Sequence, residues 1–136
     1  MAPPEYLEQA LAAQLKTYPA LLAAVEGRVT PDVLPKDPVL PAIVYQQAGT
    51  PDPGQTFGSH VTGRGVRYQV GAWATSRREA VVVATIVRRA LLALPAAYAG
   101  YVIGVELTGE LPTGPDPDTG RYSQRVECIV SHDGEA

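Results

Sequence analysis

The chain has 136 residues, 46% of them hydrophobic and 18% charged, with a formal net charge of −3 and a pI near 5.3. That size suits one domain, spanning residues 1–136 around one core, and the composition is globular rather than disordered. The acidic balance argues against a general nucleic-acid binder, which needs cationic excess to neutralise phosphates, and no apolar run approaches the roughly 20 residues of a bilayer-spanning helix.

Met1-Ala2-Pro3-Pro4-Glu5 carries neither the basic stretch nor the apolar stretch of a secretory signal, so a cytoplasmic site of synthesis is expected. Pro3 and Pro4 suit the first turn of a helix, where a missing amide does no harm. Leu7, Leu11 and Leu15 then recur as one apolar stripe, with Ala10 beside them and Glu5, Glu8, Gln9 and Lys16 off it. Pro19 opens a second short helix with Leu21, Leu22 and Val25, and Gly27 is placed to end it in a left-handed conformation. Residues 30–41 hold Pro31, Pro35, Pro38 and Pro41, which predicts an extended, irregular passage along an edge of the domain. Ala42–Gln47 then reads as a strand.

Residues 49–64 are a long Gly/Pro-rich polar stretch, and loops of that length in compact domains tend to be functional or disordered. The chain's one phenylalanine, Phe57, stands in it and either folds back on the domain or touches a partner. The next segment organises the rest. Residues 65–74 alternate as a strand, with Val66, Tyr68, Val70 and Ala72 on one face and Arg67, Gln69, Gly71 and Trp73 on the other. Ser76 and Glu79 form a Ser-x-x-Glu capping box, which starts a helix that runs to Leu94 and stops before Pro95.

On a wheel of about 100° per residue, Ala80, Val83, Ala84, Val87, Ala90, Leu91 and Leu94 form the core arc of that helix. Val81, Thr85, Arg88 and Leu92 line an outer stripe, where two large aliphatics suggest a contact. Tyr101–Leu107 reads as a third strand, 109–120 as a loop, and 121–131 as a fourth strand. In the fourth strand Tyr122, Gln124, Val126, Cys128 and Val130 oppose Arg125, Glu127 and Ile129. The 132–136 tail is expected to fray. Cys128, the one cysteine, sits among strand residues as a small core side chain. The expected fold class is α+β: a mainly antiparallel four-stranded sheet with helices packed on one face.

Catalytic patterns are thin. His60, His132 and Cys128 lack zinc-site spacing, Gly63-Arg64-Gly65 leads into a strand and so cannot cradle a phosphate, and Asp116-Pro117-Asp118 lacks the distal glutamate of a calcium loop. No cofactor, metal or catalytic set is expected.

In order and spacing the chain resembles the tail-completion, or tail-terminator, family of long-tailed bacteriophages. The resemblance is carried by the N-terminal helix, Leu21–Val29, the proline run into Leu40–Tyr45, Val66–Ser76, the Arg/Ala/Val helix ending in Leu91-Leu92-Ala93-Leu94-Pro95, and Arg121–Val130. It implies a ring-forming subunit, typically of a hexamer, at the head-proximal end of the tail tube. There it would end tube polymerisation and meet the head connector. Its implied partners are itself, a tail-tube protein and a neck protein, with no sequence-specific nucleic acid and no membrane. It would be a virion component assembled in the host cytoplasm. Rings need two different patches per subunit. Candidates are the helix stripe (Val81, Arg88, Leu92), the mixed sheet face (Arg67, Trp73, Arg125) and Phe57. Two other readings stay open: a head-closure or adaptor protein of the neck, and a small enzyme or ligand-binding domain with Tyr45, Tyr68 and Trp73 lining a pocket.

Overall fold

The computed structural model describes residues 3–49, 64–95, 97–98 and 101–135. Their elements run α1 (Pro3–Thr17), α2 (Pro19–Val25), β1 (Val29–Pro31), β2 (Ala42–Gly49), β3 (Arg64–Ala74), α3 (Arg77–Leu92), β4 (Ala97–Tyr98), β5 (Tyr101–Thr113) and β6 (Tyr122–Glu135). Phe57 and the rest of the 50–63 stretch lie outside the described residues.

The helices start and stop where local chemistry demands. Prolines open α1 and α2, where the first amides have no carbonyl to meet. The end of α2 takes two left-handed residues: Glu26 (φ 52°), whose amide donates to the Leu22 carbonyl, and then Gly27 (φ 78°). At α3 the Ser76 hydroxyl accepts from the Glu79 amide at 3.2 Å, one half of the expected capping box. No helix is long and apolar enough to cross a membrane.

The sheet differs from the expected four antiparallel strands. Among the described residues it has six, in the order β1-β2-β3-β6-β5-β4, and it is mixed because β1 runs parallel to β2. The added strands β1 and β4 are three and two residues long and sit at the two edges, too short to carry a periodic signal. The other pairings are antiparallel, and β3 matches β6 along its whole length, from Arg64↔His132 to Ala74↔Tyr122.

Two stretches expected as loop or tail are strand instead. β5 continues to Thr113, so the 109–120 loop shrinks to the turn after it, and β6 continues through 132–135. Continuous pairing with a neighbour outweighs the local Gly and Pro signals. Pro112 is tolerated because it lies on a strand with no outer neighbour there among the described residues. A register shift between Leu107 and Gly109 marks a β-bulge. Its effect is directional. Leu107 pairs Cys128 on the helix side, and after the bulge Glu110, opposite Val126, takes the helix side while Leu111, opposite Arg125, turns to the other face.

The helices cover one face of the sheet, as expected. Leu7, Leu11 and Leu15 of α1, Leu21 and Val25 of α2, and Val87, Ala90 and Leu91 of α3 are fully buried against Ile43, Val66, Tyr68, Val70 and Val130. Each large aliphatic withdrawn this way contributes roughly 1.5–3 kcal/mol. The Gln14 side-chain amide donates to the Ala90 carbonyl at 2.7 Å, tying α1 to the last turn of α3.

Candidate functional site

The sheet face away from the helices has no second layer among the described residues. Its rows follow from the pairing: Trp73 beside Ser123, then Val44, Gly71, Arg125 and Leu111, then Gln46, Gln69 and Glu127, then Arg67 and Ile129. Several members are nonetheless buried, including Val44, Ser123 and Ile129.

A cleft of about 230 Å³ lies on this face. Its floor is Val44, Gly71, Gln69 and Trp73. Asp32–Leu34, just after β1, forms one wall, and the β5–β6 turn brings Asp116 and Arg121 to another, with Arg125 between. The turn is self-supporting: the Asp116 carboxylate accepts from the Asp118 amide at 2.8 Å, and the Asp116 amide donates to the Arg121 carbonyl at 2.8 Å. That is the Asx turn expected of Asp-Pro-Asp-Thr-Gly. Gly71 matters because a Cβ there would stand 3.2 Å from Trp73 Nε1, so glycine lets the indole lie against the strand. Arg121 and Arg125 take part in no ion pair among the described residues. The cleft therefore offers an indole face and two guanidinium groups, with Asp32 and Asp116 as acceptors.

The second surface is the outer side of α3. Val81, Thr85, Arg88 and Leu92 are all exposed, and Leu92 keeps 65% of its accessible surface. Val82 is bare beside them. Arg88 lies 3.7 Å from the Glu110 carboxylate, which also accepts from the largely buried Gln124 amide. The bulge in β5 is what brings Glu110 to this side, a placement that the sequence alone did not indicate.

The expected contact residues thus fall into two groups separated by the sheet. Trp73 and Arg125 share the cleft and Arg67 lies farther along the same face, while Val81, Arg88 and Leu92 share the helix stripe. The expected aromatic pocket of Tyr45, Tyr68 and Trp73 is not formed. Tyr45 and Tyr68 are buried under the helices, and Trp73 is on the opposite face, as the alternation of β3 requires. Sequence reading missed Asp32, Asp116 and Arg121. In the sequence Asp32 is only part of an irregular stretch, Asp116 only part of an incomplete calcium-loop pattern, and Arg121 the first residue of the expected fourth strand, which begins instead at Tyr122.

Beneath the helices, Tyr68 and Cys128 face each other across β3 and β6. Burial pushes the Cys128 thiol up to about 12. Burial, aided by Glu8, also raises the Tyr68 hydroxyl well above its ordinary range, and that hydroxyl has no hydrogen-bond partner among the described protein groups. Tyr45 is raised as well, by burial and then by Glu8 and Asp32. These are buried groups of the core under the helices. Among the described residues no three His, Cys, Asp or Glu side chains gather to hold a metal ion.

The fold defines a small α+β protein with a mixed sheet covered by helices on one face, a cleft on the other face and an exposed stripe on α3. Residues 9–131 match the family described as "Tail completion protein gp17", and the chain belongs to that family. It is a structural protein of phage tails. Two solved structures share the fold. One is a chain of the virion of a native gene transfer agent particle (TM-score 0.64, 17% identity, 93% of each chain covered). The other is the gp17 protein of bacteriophage SPP1 (TM-score 0.57, 19% identity, 94% of this chain and 88% of that one). No curated protein matches the chain.

Proposed function

We propose that the chain is a ring subunit, six to a ring, that caps the head-proximal end of the tail tube, ends tube polymerisation and joins the tail to the head connector. The observation that carries this reading is family membership across residues 9–131. The geometry supports it. A subunit that sits between copies of itself, a tube and a connector needs several distinct contact surfaces, and a cleft on one side with a bare aliphatic-and-arginine stripe on the other supplies two. The helix stripe meets a neighbouring subunit, and the cleft with Trp73 and Arg125 meets the tube or the connector.

Light scattering with mass determination over a concentration series, with and without purified tail-tube protein, is the test. A mass of about six subunits and ring images in negative stain are expected. A single-subunit mass under every condition removes the reading. Pull-down against tail-tube protein and against portal-side proteins separates it from a head-closure or adaptor role, which would retain only the latter.

A further inference from the structure

The large aliphatic side chains left bare among the described residues are not scattered. Val81, Val82 and Leu92 stand on α3, and Leu111 stands on β5. Val33 (72% exposed) and Val39 (64%) stand in the segment after β1, and Leu22 lies apart on α2. α3 packs over β6 and β3 and reaches β5 through Arg88 and Glu110, with Leu111 on the other face of β5, whereas the segment after β1 lies at the far edge of the same sheet.

The β5 edge is unfinished in two ways. β4 pairs only Tyr101 and Val102, so beyond them β5 has no outer strand among the described residues. The helix layer also stops short, leaving Val105 and Leu107 half-exposed on the helix side. Between α3 and β5 lies a groove of about 450 Å³ lined by Arg88, Leu107, Gly109, Glu110 and Val126.

The β1 edge has complementary character. Residues 32–41 are exposed over most of their length and stiffened by Pro35, Pro38 and Pro41, so docking them costs little ordering entropy. Asp32 and Asp37 are exposed and in no ion pair among the described residues, with one lysine, Lys36, between them. By contrast α3 carries four arginines against one glutamate, in a chain whose net charge is −3. Arg88 is held by Glu110, while Arg77, Arg78 and Arg89 are in no ion pair among the described residues.

We propose that the 32–41 segment of a second copy of this chain seats on the α3–β5 groove and the α3 surface beside it, with Val39 against Leu92 and Leu107 and Asp37 turned toward Arg89. The contact is heterologous: each copy offers a groove at one edge and a segment at the other, so it propagates from copy to copy until it closes. This rests on the ring reading above and specifies which two patches meet.

The test is sedimentation velocity of the full chain over a concentration series, with Val39→Asp and Leu92→Asp made separately. Both side chains are exposed, so unchanged thermal midpoints are expected for the folded variants. Each variant should need at least about tenfold higher concentration to assemble than the parent chain, because each places an unpaired carboxylate in the contact. Mixed in equal amounts, the two should form a two-subunit complex and nothing larger, because Val39→Asp keeps an intact groove and Leu92→Asp an intact segment. A second pair, Asp37→Arg and Arg89→Asp, should each weaken assembly and together restore it. Rings that form as readily from both single variants as from the parent chain would overturn this pairing and leave the ring itself standing. No complex on mixing would also overturn it. A parent chain that never assembles would remove the ring and the pairing together.

Discussion

Raising the pH above 9 should destabilise this protein from within its core, and the size of the effect follows from two facing side chains. Cys128 ionises near its ordinary 9.0 in the unfolded chain but only near 12 when folded. Between those values the unfolded state has lost a proton that the folded state still holds. Unfolding therefore releases a proton, and stability falls as pH rises. For one such group the loss is about 1.4 kcal/mol at pH 10 and about 2.7 kcal/mol at pH 11. Tyr68, raised from 10.0 chiefly by the same burial, adds to the loss from about pH 10 upward. The Cys128 loss of about 2.7 kcal/mol at pH 11 is by itself a large part of the roughly 5–15 kcal/mol that holds a domain of this size together.

Urea midpoints measured between about pH 8 and pH 11 read the effect, with Cys128→Ala and Tyr68→Phe separating it from the titration of lysines and exposed tyrosines. Cys128→Ala should flatten the curve from pH 9 upward, and Tyr68→Phe should flatten it from pH 10. Midpoints that stay level across this window, or variants whose curves run parallel to the parent's, would show that the two groups are hydrated in the folded protein and that the burial reasoning is wrong.

Other outcomes follow from single contacts. Ser76→Ala removes the oxygen that accepts from the Glu79 amide and should lower stability by about 1 kcal/mol, read as a drop in the thermal midpoint with unchanged far-UV circular dichroism. Gly71→Val places two methyl groups where Trp73 Nε1 would already be 3.2 Å from a Cβ, so it should lift the indole into the cleft. Because Trp73 is the chain's one tryptophan, the change should appear as a red-shifted fluorescence maximum in a folded protein. Tyr68→Phe at neutral pH removes a buried hydroxyl with no protein partner among the described groups and should raise stability by about 1 kcal/mol in urea unfolding; a loss of similar size would reveal a hidden partner.

Much of the fold could be read from periodicity, and what could not has physical causes. The alternation of β3 and β6 and the wheel of α3 assigned nearly every core residue correctly, because side chains buried on one face must repeat at 2.0 or 3.6 residues. Ser76 and Glu79 marked the start of α3 because a helix must satisfy its first amides somewhere. The edges were not legible. Val29–Pro31 and Ala97–Tyr98 are strands only because a neighbour offers hydrogen bonds. Gly109–Thr113 looks like a turn until β6 lies beside it. The bulge inverts the parity after Leu107, so no alternation rule could have placed Glu110 near Arg88 or Leu111 beside Arg125. Of the candidate site, the sequence identified Trp73, Arg125 and the α3 stripe as unusual. The walls of the cleft come from Asp32 and from the 116–121 turn, far apart in the chain and brought together only by the sheet.

The strand order has a consequence for the timing of synthesis. β6 follows every other described element in the chain, yet it lies between β3 and β5. During synthesis the β1–β2–β3 half and the β4–β5 hairpin precede the strand that pairs with both, and the sheet cannot close until residues 122–135 are free of the exit tunnel. The cleft needs Arg125 from β6, and the groove between α3 and β5 needs Val126. Neither surface exists on an unfinished polypeptide, so a partly translated copy has no complete face with which to enter an assembly.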